Sequence, residues 1–357
     1  MEPFDIRYIG ELVISAIIHN VDLVRLALAL VPVLLFLMAL RALDSYKLVS
    51  ARSVMMALAA GAVAAVLCFS INTFVFHIYP QYQDQYAELG APIVEESAKA
   101  VYWIFLIATA RAAFMADSAI CGFAVGAGFA LVENISYLKL LEGKGIGIWI
   151  LRGFGTAVMH GGVAALGATL SVYLLEGRGV VSSRVFVPGV LAAVLLHSMF
   201  NQSLQNPVAS TIAACAGLPV ILALVFYFSE KSLRAWLGGK LDQDIDMIGM
   251  IGSKEFQETR VGAYLTTLQE AFPPAVRGDM LSLLQLTSEL SARAKSELML
   301  REMGLEVEPD PELEGLLTEL KYLEKSIGPT GMLAIRPLLS QTPRDLWELH
   351  RLGQSLQ

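Results

Sequence analysis

Residues 91–110 read APIVEESAKAVYWIFLIATA, a run long and apolar enough to cross a bilayer, yet Glu95, Glu96 and Lys99 all lie in its first half. Each charge at membrane depth costs about 2.5–3.5 kcal/mol on insertion scales. Three of them on one helix constrain the fold more than any other feature, because the rest of the chain must pair them or use them. Glu95 and Lys99 are i,i+4, so they stack on one face and offset each other. Glu96 sits about 100° further round and has no local partner, so another element must face it.

The remainder of the chain supplies a membrane setting. Of 357 residues, 55% are hydrophobic and 17% charged, where a soluble protein carries about 25% charge. Seven runs are each long enough for a hydrocarbon core of about 30 Å: 22–43, 53–77, 91–110, 117–139, 149–175, 185–205 and 208–229. Residues 5–20 are too short and too charged to span and read as an interfacial helix. The acidic start, MEPFDIR, does not read as a cleavable signal peptide. Cys68, Cys121 and Cys215 all lie in apolar runs, so they read as buried small hydrophobes rather than a disulfide framework. The net charge of −7 argues against nucleic acid as a partner.

Loop charge sets the orientation. Arg41, Lys47 and Arg52 follow the first run, Arg111 the third, Arg178 and Arg184 the fifth, and Lys231, Arg234 and Lys240 the seventh. The opposite side has an acidic loop at 78–90 without Lys or Arg, with Lys139 and Lys144 as the dissenting positions. The N-terminus is therefore expected outside and the C-terminal region in the cytoplasm of a multi-pass cell-membrane protein. Beyond 230 the composition changes: 14 Lys/Arg against 20 Asp/Glu, hence −6, hold nearly all the excess charge. The stretch from Asp242 to Asp246 resembles the start of a calcium loop, but Met247 stands where the Gly belongs and Ser253 where the bidentate Glu belongs, which excludes an EF-hand. Amphipathic runs at 254–271, 275–303, 311–326 and 333–351 follow, punctuated by prolines. The expected architecture is an all-α polytopic helix bundle over 1–229 with a helical cytoplasmic module over 230–357.

Six further polar groups stand inside three of the apolar runs. The fourth run carries Glu133 and Asn134 and a small-residue face of Gly122, Gly126 and Gly128, which allows close helix approach. The fifth carries Arg152 and His160, eight residues apart and so near one face over two turns. The sixth carries His197 and Asn201, i,i+4 on one face. At 1.5 Å per residue, Glu95 and Glu96 lie about 6–8 Å below the outer end of their run, Glu133 about 9 Å, Asn201 about 6 Å and His197 about 12 Å. Runs that travel in opposite directions thus bring their polar groups into one outer half. Each group also has a plainer reading: Arg152 as a snorkelling headgroup contact, Asn134 and Asn201 as interhelical hydrogen bonds, either histidine as a satisfied buried polar group.

Carboxylates, imidazoles and an amide in a low-dielectric site suit water activation for hydrolysis. A carboxylate serves as general base, imidazoles with a carboxylate can hold a metal in an open three-ligand site, and an Asn can donate to a developing oxyanion. The order Glu95-Glu96-x-x-Lys99, Phe129-x-x-x-Glu133-Asn134-x-x-Tyr137, Arg152 with His160, then His197-x-x-x-Asn201 resembles the PrsW family of intramembrane proteases, relatives of the CAAX prenyl proteases and the Abi proteins. Lys99 stands one residue earlier than the Arg of the CAAX pattern and Glu133 replaces its His; both departures point to PrsW. The resemblance covers about residues 90–205.

That resemblance implies an intramembrane endopeptidase in a bacterial cell membrane, cutting a single-pass membrane protein of the anti-sigma-factor kind near the external face and starting a regulated proteolytic cascade. In this reading Glu95 or Glu96 is the general base. Glu133, His160 and His197 form a zinc site, unless the mechanism is a metal-free glutamate one. Asn201 stabilises the oxyanion, and Lys99 and Arg152 neutralise excess carboxylate charge. The rival readings are a proton- or cation-coupled transporter, since buried Glu and His also build proton relays, and a non-catalytic receptor. No inverted repeat is visible to favour the transporter.

Overall fold

The computed structural model describes residues 23–141, 143–178, 181–251, 253–308, 310–339 and 342–355. The interfacial helix expected over 5–20 lies outside the described residues. The described residues are almost entirely helical and contain no strand, as the all-α reading requires. The chain divides into two compact units, Met1–Ser229 and Glu230–Gln357.

The first unit contains α1 (Leu23–Ala42), α2 (Ala51–Ile78), α3 (Ala91–Ala108), α4 (Met115–Leu140), α5 (Ile146–Gly177), α6 (Ser183–Gln202) and the start of α7 (Pro207–Ile251). Six of these, all but α3, are long and apolar enough to cross a membrane. The protein is a multi-pass membrane protein. Where seven runs were expected, the run at 91–110 does form a helix, but its three charges set it apart from the other six by composition. The seventh run does not stop at 229. It continues as one helix to Ile251, because no proline interrupts 220–251 and Gly238-Gly239 weakens helix propensity by only about 1 kcal/mol per residue.

Helix α4 is the axis of this unit. In its most apolar stretch 83% of the residues are buried, and 78% in α5, against 17–33% in the other apolar helices. Those others turn Leu, Val, Ile and Phe side chains outward, as at Leu35, Phe74, Leu195 and Val220. Apolar contact alone does not draw helices together in lipid, so close backbone approach must do so. The glycines provide it, on two faces rather than one. A Cβ at Gly126 would fall 2.1 Å from the His160 carbonyl oxygen on α5, and one at Gly128 would fall 2.0 Å from the Leu58 carbonyl oxygen on α2. From α2, Gly61 approaches Val125 in the same way.

The second unit joins the end of α7 to α8 (Arg260–Thr267), α9 (Pro274–Glu302), α10 (Leu313–Ile335) and α11 (Pro343–Ser355). Met280, Leu283, Leu290, Leu323, Ile335 and Leu352 form its core. The run expected at 311–326 extends through Gly328-Pro329, because Gly328 takes φ +72° and lets Pro329 begin a fresh helical turn. The run expected at 333–351 is instead broken before Pro343. The acidic triplet on α7 has a structural use: Asp244 lies 2.8 Å from Lys295 Nζ, which is almost fully buried and also lies 2.8 Å from Glu348. Trp236 supplies a ring face 5.0 Å from the same ammonium.

Burial pushes the Glu348 carboxyl up to about 7, against the opposing pull of Lys295. Between its unfolded value near 4.5 and that value, the folded unit holds a proton that the unfolded chain releases. Stability from this group is therefore complete below about pH 4.5 and is lost as pH rises through about 7, by on the order of 3 kcal/mol. Hydrogen exchange of the α9 and α11 amides in the full chain, corrected for intrinsic rates, should show weaker protection at about pH 8 than at about pH 5. Glu348→Gln should flatten the dependence; an unchanged slope would remove Glu348 as its source.

Candidate active site

The charges of α3 are solved by helices that the sequence places far away. Lys99 reaches Glu96 one turn back, Nζ to Oε1 2.5 Å, and not Glu95. Both acids lie within reach of an i,i+3 or i,i+4 lysine and both are buried; the facing partners decide, Asn72 engaging Glu95 while Glu96 meets Lys99 and His197. Glu96 Oε1 also lies 2.8 Å from His197 Nδ1 on α6. Lys99 Nζ lies 2.9 Å from His160 Nδ1 on α5 and 4.5 Å from the centre of the Phe129 ring on α4. Glu96, Lys99, His160 and His197 are all buried.

The two imidazoles, packed edge to face with ring centres 4.8 Å apart, are held in opposite senses. An ammonium only donates, so His160 Nδ1 accepts from Lys99 and its Nε2–H faces Glu133 Oε2 at 3.1 Å. A carboxylate only accepts, so His197 Nδ1–H donates to Glu96 and leaves Nε2 open. That open nitrogen faces Glu95 Oε2 at 3.9 Å. Ligand atoms of Glu95, His160 and His197 lie within 4.8 Å of one another.

Arg152 closes the far side. Its Nη2 lies 3.3 Å from Glu133 Oε2, its Nε donates to Asn134 Oδ1 at 2.9 Å, and its guanidinium covers the Tyr137 ring at 3.7 Å. Asn134 in turn donates to the Ala29 carbonyl of α1 at 2.8 Å. Eight residues of regular helix would leave Arg152 and His160 roughly 80° apart in azimuth. A widened π-turn over Leu151–Thr156 absorbs about one residue, so both side chains reach the same oxygen of Glu133.

Of the eight residues expected at the site, Glu95, Glu96, Lys99, Glu133, Arg152, His160 and His197 thus join one connected set. Asn201 stands at its rim and donates to the Ala87 carbonyl at 2.9 Å. Two residues outside the sequence motifs enter as well: Asn72 Nδ2 donates to Glu95 Oε1 at 3.0 Å, and the Tyr86 hydroxyl donates to Asn72 Oδ1 at 2.8 Å. The one signal for Asn72 was an amide in an otherwise apolar run, which needs a partner at membrane depth.

The donor chemistry suits a divalent metal: two imidazoles and a carboxylate form the three-ligand set that leaves a position open, and a metal would take the place of the proton that His160 Nε2 shows to Glu133. Metal–ligand distances near 2.0–2.2 Å put tetrahedral ligand atoms about 3.4 Å apart, so the group needs to contract by roughly an ångström. The family model described as PrsW family intramembrane metalloprotease matches residues 50–229. No curated protein and no solved structure matches the chain.

Proposed function

We propose, for a chain that belongs to the PrsW family of intramembrane metalloproteases, that zinc held by Glu95, His160 and His197 serves peptide-bond hydrolysis in single-pass membrane proteins. The enzyme is an intramembrane protease, and its substrates are membrane-embedded proteins. The observation that carries the site assignment is the meeting of those three residues, from three helices, with ligand atoms within 4.8 Å of one another.

Bound zinc supplies a Lewis acid that polarises a carbonyl and acidifies water. The chain's own groups supply the rest. Glu133 is the most open of the three site carboxylates, with a side chain 23% exposed, and it takes the water's proton as general base. This exchanges the roles of Glu133 and Glu95 relative to the sequence expectation, and what supports the exchange is that Glu95, not Glu133, faces the open nitrogen of His197. Glu96 is engaged by Lys99 and His197 and orients the latter, as outer carboxylates do for metal-ligating histidines. Arg152 offsets the charge of Glu133. Asn201 exchanges the Ala87 carbonyl for the developing oxyanion of the substrate. The substrate is of the anti-sigma-factor kind, cut near the external face of a bacterial membrane, with the N-terminus outside and the 230–357 unit in the cytoplasm. The loop charges and the outer-half depth of the polar groups support that orientation.

Elemental analysis of detergent-purified protein tests the metal. About one zinc per chain is expected in the wild type and none in His160→Ala/His197→Ala. Zinc retained by the double variant overturns the ligand assignment, and a wild type that cleaves after exhaustive chelation overturns the zinc reading. Glu133→Gln should retain zinc yet lose cleavage by about 100-fold or more; cleavage at the wild-type rate would remove Glu133 as base.

A further inference from the structure

Glu95 is oriented from outside the motifs that carry the family resemblance. Among the described residues, Asn72 is the one hydrogen-bond donor to its carboxylate, on Oε1, which leaves Oε2 toward His197. We propose that Asn72 and Tyr86 are positioning residues that aim Glu95 at the metal, an inference that rests on the metalloprotease reading of the site.

The chemistry of the amide makes the pair necessary. A primary amide has a donor end and an acceptor end of nearly the same shape, and only the donor end stabilises a carboxylate. The Tyr86 hydroxyl settles which end faces which way: it donates to Oδ1 and turns Nδ2 to Glu95. Tyr86 is itself fixed. Its ring lies edge-on to Phe76 with centres 5.4 Å apart. A Cβ at Gly90 would come within 2.3 Å of that ring, so the widened helical turn over Tyr86–Gly90 needs glycine there. The same turn is tied to α6 by Asn201 through the Ala87 carbonyl. Asn72 stands among Ile71 and Phe74, which face outward; an amide in such a run is costly without partners, and both ends of this one are used.

Outer partners of metal ligands are worth about 10–100-fold in metal affinity or activity. In purified full-length Asn72→Leu, zinc affinity measured by chelator competition should fall by about 10–100-fold, and kcat should fall with KM unchanged. Tyr86→Phe, which keeps the ring and removes one oxygen, should move both quantities the same way by less, with an unaltered melting temperature. It reports on the proposal even if Asn72→Leu fails to fold. If Tyr86→Phe and Asn72→Leu keep zinc affinity and kcat while Glu95→Gln loses both, the inference is wrong and the site reading stands. If Glu95→Gln also keeps both, the site reading fails and takes the inference with it.

Discussion

Lys99→Met should abolish most proteolysis, by about a hundredfold, and also destabilise the bundle by about 3–5 kcal/mol, because removing one partner of a buried pair strands the other charge. The two effects have separate causes, and a second substitution separates them. In Lys99→Met/Glu96→Gln both charges of the pair are gone, and neutral replacement of a buried pair is often nearly free, so the melting temperature should return most of the way. The amide oxygen that Glu96→Gln introduces can still accept the His197 Nδ1–H, so His197 keeps its orientation. His160 does not recover: nothing donates to its Nδ1, which Lys99 approaches to 2.9 Å, and its ring loses the contact that turns Nε2 to Glu133. Activity should therefore stay low when stability returns. A double variant that recovered cleavage along with stability would reduce Lys99 to a counter-ion for Glu96.

This distinction was only half legible in the sequence. The cost of three charges in an apolar run showed that other helices must converge on 91–110, and the intramembrane Glu, His and Asn residues named most of them. Partner choice was not legible. On an isolated helix Glu95 and Glu96 compete for Lys99 on similar terms, and only the packed bundle, by setting Asn72 against Glu95 and His197 against Glu96, settles the contest. Arg152 and His160 were placed near one face by counting regular turns, yet they share Glu133 only because the turn at Leu151–Thr156 is widened, and no residue there announces it. Asn72 and Tyr86 do not stand out in the sequence because each looks ordinary alone: one amide in an apolar run, one aromatic in a polar connection. The continuation of α7 to Ile251 is not legible, because a fall in hydropathy after 229 marks where apolar residues stop, not where backbone hydrogen bonding does.

Gly126→Val should be the most damaging substitution that touches no ionisable group. A Cβ at 126 would meet the His160 carbonyl oxygen at 2.1 Å and Gly161 Cα at 2.7 Å. Those atoms are backbone, so no rotamer change relieves the contact. Helices α4 and α5 must separate by about 1 Å or more to reach ordinary van der Waals distance. Overpacking of this kind costs about 1–3 kcal/mol. The larger consequence is chemical, because α4 carries Glu133 and α5 carries His160, held at 3.1 Å. A displacement of about 1 Å at reacting groups can cost about 100-fold in rate, so kcat should fall by about that factor. The control lies on α7, where a Cβ at Gly217 meets nothing within 4 Å: Gly217→Ala should leave melting and cleavage unchanged. Gly126→Ala carries the same Cβ without the branched methyls and should fall between them. If Gly126→Val cleaves like the wild type, the spacing of α4 and α5 does not set the geometry of Glu133 and His160, and the chemistry must rest on groups that these two helices do not hold apart.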